Sequence, residues 1–233
     1  LVLCTTGLTE EQLAKMKECS KKAAILKSAN MSLGINTLMK LLQDRNYHIM
    51  TTNQDFQFTR VVSEDKLSAI QGDSRYYQCS RRCHDEIYSN KEMVYEMNDA
   101  IDENLCIPAE LIPRCPKCGA EMEPWVRGYT FLEGKKYKEE YRKINEFLTA
   151  NQNKKILFLE LGVGRMTPMF IQEPFWNLTY SLPQAYYITI NPKDALLPQA
   201  LSQKGWAIKE DIAAVLQDAA AHMSGKEDSS CMI

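Results

Sequence analysis

Neither sign of charge dominates this chain. Its 28 basic residues stand against 30 acidic ones, for a net charge of −2. There is no basic excess to meet a nucleic-acid backbone and no like-charged block that would form a solvated tail. No apolar run approaches the roughly 18 residues needed to cross a bilayer. A basic stretch followed by an apolar one is missing from the first residues, so no secretory signal is expected. Leu1 stands where an initiator Met would, which is read as the mark of a fragment or a partly covered chain. Cys231 is third from the end, where prenylation uses the fourth, so no lipid anchor is expected. Internal repeats and low-complexity stretches are also lacking. These absences leave a cytoplasmic protein with no membrane or nucleic-acid partner as the expectation.

What is present suffices for one good-sized domain with a small insert. The chain has 233 residues, 45% of them hydrophobic, enough to build a core. Apolar spacing and a Thr9/Gln12 capping pair predict a helix over Leu8–Lys27. Helices are also predicted over Ser32–Asp44, Ser89–Ile101, Tyr137–Ala150 and Asp211–Met223. Lys155–Leu161 is nearly all apolar, as in a strand covered on both faces of a parallel sheet. Further strands are expected at 47–52, Ala185–Ile190 and Ala207–Ile208, and a short one at Leu1–Cys4. Helices alternating with such strands predict an α/β fold with a Rossmann-type parallel sheet. Residues 75–128 change character, with paired cysteines, polar turns and several prolines. The expected organisation is a discontinuous Rossmann-type domain over 1–74 and 129–223, a zinc-ribbon insert over 75–128 and a disordered tail over 224–233.

Four of the eight cysteines fall in two tight pairs, Cys79/Cys83 and Cys115/Cys118. Each short turn can supply two thiolates, and two turns close a tetrahedral zinc shell. With no open position left, the metal is expected to be structural. His84 is read as a hydrogen-bonding or surface residue, and Cys106, in an apolar stretch, as core.

In open α/β sheets, ligands bind beyond the carboxyl ends of the strands. Three such ends carry unusual residues here. After the strand ending at Thr52, Asn53 and Asp55 can aim an amide and a carboxylate at one ligand. After the buried strand, Gly162-Val163-Gly164 allows close backbone approach, followed by Thr167 and Pro168. The third end is Asn191-Pro192. His48 is read as a satisfied core histidine, and Trp125, Trp176 and Trp206 as packing residues.

Taken in order, these features resemble the sirtuins: Thr-x-Asn-x-Asp after a strand, an inserted four-cysteine module, a glycine turn, then a strand ending in Ile-Asn. The resemblance runs from about Ser32 to Ala219. It implies a Rossmann-type domain with a small zinc lobe and NAD in the cleft between them. It would put Asn53 at the nicotinamide ribose, Asp55 at the carboxamide, and Gly162, Thr167 and Asn191 along the adenosine side, with Thr52, Val163 and Gly164 also among the cofactor-binding residues. Deacetylating sirtuins carry a catalytic His where this chain has Gln71, and an amide takes no proton near pH 7. Gln71-Gly72-Asp73, Cys79-Ser80-x-x-Cys83-His84, Glu160-Leu161-Gly162-Val163-Gly164 and Pro174-Phe175-Trp176 resemble the macrodomain-linked class.

That class implies an NAD-dependent protein ADP-ribosyltransferase acting on a lipoylated, glycine-cleavage-type carrier, with a macrodomain protein as functional partner. Asn53, Asp55 and Gln71 would form its catalytic set. The family's N-terminal Gly-Ala-Gly-x-Ser turn has its nearest counterpart in Thr5-Thr6-Gly7-Leu8-Thr9, with one glycine instead of two. A non-catalytic NAD or ADP-ribose binder is therefore the second reading, a deacylase the third, and a zinc-stabilised interaction module the fourth.

Overall fold

The apolar run Ile156–Leu161 forms strand β8, the edge of a three-stranded parallel sheet. A computed structural model describes residues 2–3, 26–27 and 33–225. By contact the chain divides into two units, Leu1–Arg45 with Ile212–Ile233, and Asn46–Asp211.

In the first unit, β1 (Val2–Leu3) pairs in parallel with β2 (Leu26–Lys27). Helix α1 (Leu33–Leu41) packs against α5 (Ile212–Gly225), and buries Leu38 to 6% exposure. The expected Leu8–Lys27 helix and the Thr5–Thr9 turn fall outside the described residues. So does the predicted tail beyond Gly225, where α5 ends two residues later than Met223.

The second unit holds the α/β body. Strand β3 (Ile49–Thr51) pairs in parallel with β4 (Leu67–Ala69). Helix α3 (Lys135–Asn151) precedes β8. Helix α4 (Gln172–Ser181) then connects β8 to β9 (Ala185–Ile190), which pairs with β10 (Gly205–Ile208), giving the order β10-β9-β8. Phe158, Ala185 and Tyr187 form the core beneath α4, with Leu148, Phe175 and Trp176 packed on it. The architecture is therefore α/β with parallel, Rossmann-type strand pairing. Trp125 is fully buried, as expected, but Trp206 lies on the edge strand β10 and is 72% exposed.

A carboxylate sits inside this core. Glu160 is 1% exposed. It accepts hydrogen bonds from Tyr187 Oη, from Thr189 Oγ1 at 3.0 Å and from Gln172 Nε2 at 3.1 Å. Burial, then the Glu160 carboxylate, push the Tyr187 phenol well above its usual range. Glu160→Ala strands three buried polar groups at once, so it should lower the free energy of unfolding by about 3 kcal/mol or more. Urea unfolding would measure it; a loss under about 1 kcal/mol would mean that water replaces the carboxylate. Glu160→Leu with Tyr187→Phe, which removes both charge and donor, should recover part of the loss.

The insert is an antiparallel sheet of order β6-β5-β7, made of β5 (Gly72–Cys79), β6 (Tyr88–Ser89) and β7 (Met122–Val126). Helix α2 (Lys91–Asp99) follows β6. Trp125, Phe131 and Leu132 are buried together where β7 returns to the body, and the indole Nε1 of Trp125 donates to the Leu132 carbonyl at 3.0 Å.

Candidate functional site

The four cysteine sulfurs of the insert converge. Those of Cys79, Cys83, Cys115 and Cys118 lie within 4.8 Å of one another, and the Cys79–Cys118 and Cys83–Cys115 pairs are 3.6 Å apart. Zinc–thiolate bonds of about 2.3 Å in a tetrahedron put sulfurs about 3.8 Å apart, so the donor set fits that ion. Two turns make this possible. Arg82, at φ 51, lets its N–H reach the Cys79 carbonyl at 2.8 Å. Gly119, at φ 70, lets its N–H reach Cys115 O at 2.9 Å.

Burial pushes the Cys79 thiol up, but N–H groups of Cys83 and Arg81 and the adjacent sulfurs outweigh it and bring it to about 6. Burial and the adjacent sulfurs raise Cys83. The His84 ring bridges the Cys83 sulfur at 3.0 Å and Tyr88 Oη at 2.9 Å, a hydrogen-bonding role. Cys106 differs from the expectation of a core residue. It is exposed, because the loop around it is held by Asp102 Oδ1 accepting its N–H rather than by packing.

The loop after β3 is fastened to the start of β5. Gln54 Nε2 donates to the Gln71 carbonyl at 3.2 Å, and the Gln54 carbonyl accepts from Ser74 N–H at 3.1 Å and Ser74 Oγ at 2.8 Å. This clamp brings the Asn53 and Asp55 loop beside Gln71. Asn53 N–H donates to Thr51 Oγ1 at 3.0 Å, while Asp55 accepts Gln57 N–H at 3.2 Å and turns the chain into a short 3-10 helix. The side chains of Asn53 and Asp55 are exposed and that of Gln71 is buried. Its Nε2 has no hydrogen-bond partner within the protein, which is costly for a buried amide.

Gly72 is required beside it. At φ 91, an added Cβ would stand 2.1 Å from the Trp125 carbonyl oxygen. Gly72→Ala should therefore cost about 3 kcal/mol or more and separate β5 from β7. A thermal midpoint within about 2 °C of the parent would refute this reading.

The second side is built by β8 and β9. Gly162 N–H donates to the Ile190 carbonyl at 3.0 Å and adopts φ 69. Asn191 Nδ2 donates to the Val163 carbonyl at 3.0 Å, while its Oδ1 accepts the N–H groups of Lys193 and Asp194 at 2.9 and 3.0 Å. Val163 and Asn191 are thus brought together; Gly164 is exposed and Thr167 half-buried in the turn beyond. The two sides meet where Ile70, the neighbour of Gln71, packs with Val163 and Ile171.

Sequence reasoning missed Arg127. Its N–H donates to the Gln71 carbonyl at 2.8 Å and its Nη2 to the Ile70 carbonyl at 3.4 Å. The guanidinium stacks 4.1 Å over Phe131 and 5.1 Å over Phe170 and pairs with Glu133 at 2.6 Å. Its buried Nε has no partner. The only sequence signal was its place just after the Trp125 strand, where the insert rejoins the body. Two unpartnered buried donors beside exposed amide and carboxylate side chains suit an anionic or amide-bearing ligand. A groove of about 780 Å³ lies elsewhere, along α3, and none of the sequence-expected site residues lines it.

Comparison with known proteins gives two kinds of match. The chain is 33% identical over 196 residues to a protein ADP-ribosyltransferase of Staphylococcus aureus, covering 83% of this chain and 62% of that protein. A solved chain described as "Structural Basis for the Mechanism and Regulation of Sir2 Enzymes" superposes with a TM-score of 0.55 at 18% identity, covering 81% of this chain and 66% of that one. Residues 1–31 match a different family, "Dihydrodipicolinate reductase, N-terminus". In keeping with that, a 4-hydroxy-tetrahydrodipicolinate reductase of Clostridium tetani is 57% identical over 44 residues, 19% of this chain and 17% of that enzyme. The chain spans less than two thirds of the length of each of these relatives.

Proposed function

We propose that this chain is a sirtuin relative acting as an NAD-dependent protein ADP-ribosyltransferase, a reading supported by its likeness to a protein ADP-ribosyltransferase and by its Sir2-like fold. The observation that carries the reading is Gln71: a buried amide with an unpartnered donor, clamped through Gln54 to the loop bearing Asn53 and Asp55. NAD would supply the transferred group: its nicotinamide–ribose bond breaks, the ribose carbon bonds to the acceptor nucleophile, nicotinamide leaves, and the acceptor's proton passes to solvent. Asn53, exposed at the strand end, would orient the ribose by its amide. Asp55 would hold the carboxamide. Gln71 would position the acceptor as a hydrogen-bond donor without taking its proton, and Arg127 would fix the Gln71 backbone and keep positive charge beside it.

Thr52, Gly162, Val163, Gly164, Thr167 and Asn191 would line the remainder of the NAD site. The four cysteines would hold a structural zinc. A lipoylated, glycine-cleavage-type carrier is the proposed acceptor protein, a macrodomain protein the functional partner, and the cytoplasm the setting. Among the described residues, no helix is long and apolar enough to cross a membrane.

One observation favours a second reading. Residues 1–31, where the glycine-rich phosphate turn was sought, match a reductase segment; a chain without that turn would be a binder of NAD or ADP-ribose that releases no nicotinamide. Calorimetric titration with NAD and ADP-ribose, followed by a nicotinamide-release assay with and without a lipoylated carrier, separates the two. Carrier-dependent release supports the transferase, binding without release supports the binder, and no binding of either ligand refutes both.

A further inference from the structure

Among the described residues, little covers helix α2. None of its residues is buried, although Met93, Val94 and Tyr95 are apolar and 36%, 44% and 61% exposed. The loop that follows adds Ile101 at 44% and Leu105 at 85%. A helix of nine residues is too short to persist in water on its own propensity, and the packing it has is against the short 3-10 turn at Ala109–Leu111.

The charge on this surface is predominantly negative. From Lys91 to Glu110 the sequence has six carboxylates (Glu92, Glu96, Asp99, Asp102, Glu103 and Glu110) against one basic residue, Lys91 at the start of α2. The described ion pairs include none of the six. A second copy meeting this face with its own would bring like charges together, and an anionic membrane would be repelled. The chemistry that complements it is a polypeptide segment with basic side chains set around a few apolar ones.

The place of the helix points to what that segment belongs to. Asn90, 7% exposed, ties the start of α2 to β5: its Nδ2 donates to the Ser74 carbonyl at 2.7 Å and its N–H to the Arg75 carbonyl at 3.0 Å. Ser74 in turn bonds to Gln54, which lies between Asn53 and Asp55. Two hydrogen-bonded steps separate α2 from the candidate crevice.

We propose that α2 and the loop through Leu105 form the docking surface for the protein substrate, and that they grip a basic–apolar segment of it. The proposal rests on the transferase reading for the identity of the partner, but the surface itself can be tested without catalysis. The probe is a fluorescently labelled peptide of interspersed Leu and Lys, with a Leu/Glu peptide and a Ser/Lys peptide of equal length as controls. Against the full chain, the Leu/Lys peptide should bind at least about tenfold more tightly than either control, and more weakly as salt rises. Hydrogen exchange should slow over residues 91–105. The triple variants Val94→Ser/Tyr95→Ser/Leu105→Ser and Glu92→Gln/Glu96→Gln/Asp99→Asn should each weaken binding by about tenfold, with circular dichroism unchanged.

Equal affinity for the Leu/Glu peptide, protection mapped elsewhere, or unchanged binding by both variants would overturn the docking surface. So would a concentration-dependent dimer of the free chain that the variants dissolve. The catalytic arm is separate. Where nicotinamide release is found, the same variants should raise KM for a protein acceptor about tenfold and leave acceptor-independent release unchanged; an unchanged KM overturns the substrate role. Peptide binding at 91–105 with no release under any acceptor would instead fail the transferase reading and uphold the surface.

Discussion

Stripping zinc from the chain with a chelator is expected to unfold the insert and leave the α/β body folded. The core around the sulfurs is small: Cys79, Cys115, Ala120 and Met122, with Tyr77 and Tyr88 against them. Two of those four buried residues are proposed ligands, so without metal little apolar packing remains at the cysteine end of β5 and β7, beyond the Trp125, Phe131 and Leu132 cluster that joins the body. Structural zinc sites contribute on the order of 10 kcal/mol of binding free energy, more than the whole stability of many small domains. Cys115→Ser should behave like chelation, removing a buried ligand and abolishing stoichiometric zinc. Cys106→Ser is the internal control, since that thiol is exposed and outside the cluster; it should change neither zinc content nor stability. Zinc by atomic absorption, read with hydrogen exchange over 72–126, measures the effect. If Cys115→Ser keeps full zinc and native exchange, the four sulfurs are not a metal site.

Asn53→Ala should lower the kcat/KM of carrier-dependent nicotinamide release by about a hundredfold or more, the scale on which loss of one aligned polar group in a preorganised site is felt. Structural stability should move by less than about 0.5 kcal/mol. The separation follows from geometry. The strand end is held by the Asn53 backbone, whose N–H meets Thr51 Oγ1, and by Gln54, which bonds to Gln71 and Ser74. The Asn53 side chain itself is exposed, so its removal costs the fold little. Gln54→Ala should do the reverse, loosening the loop and lowering the thermal midpoint together with activity. Activity of Asn53→Ala within about threefold of the parent would remove Asn53 from the ribose-orienting role.

Sequence pattern carried the body of the molecule where one physical signal dominated. The apolar run of β8, the helical spacing of α3 and the paired cysteines each led to the observed element. Ala185–Ile190 was read with its observed limits. Helix α4 escaped because Gln172, Glu173 and Asn177 interrupt its apolar spacing and Pro174 falls within its first turn. Strand β5, Gly-Asp-Ser-Arg-Tyr-Tyr-Gln-Cys, reads as polar turn. Its partners are other short strands and its buried polar groups are satisfied by side chains: Gln78 donates to Thr130 O and Glu123 and accepts Leu132 N–H. Arg127 was invisible because a lone basic residue before Gly128 looks solvated, and its position over Phe131 and Phe170 depends on residues distant in sequence. Trp206 misled in the opposite sense: aromatic residues usually pack, but this one lies on an edge strand with an open face.

The insert leaves the body at Gly72 and returns at Val126, and these two residues are paired across neighbouring strands. Both ends of the excursion are therefore about one strand spacing apart, near 5 Å, a gap that a two-residue turn closes without moving either flank. The lobe is in that sense joined to the body at a single strand pair. The proposed site residues Asn53, Gln71 and Asn191 lie outside it, while Ser74, which holds the Asn53 loop through Gln54, lies within it.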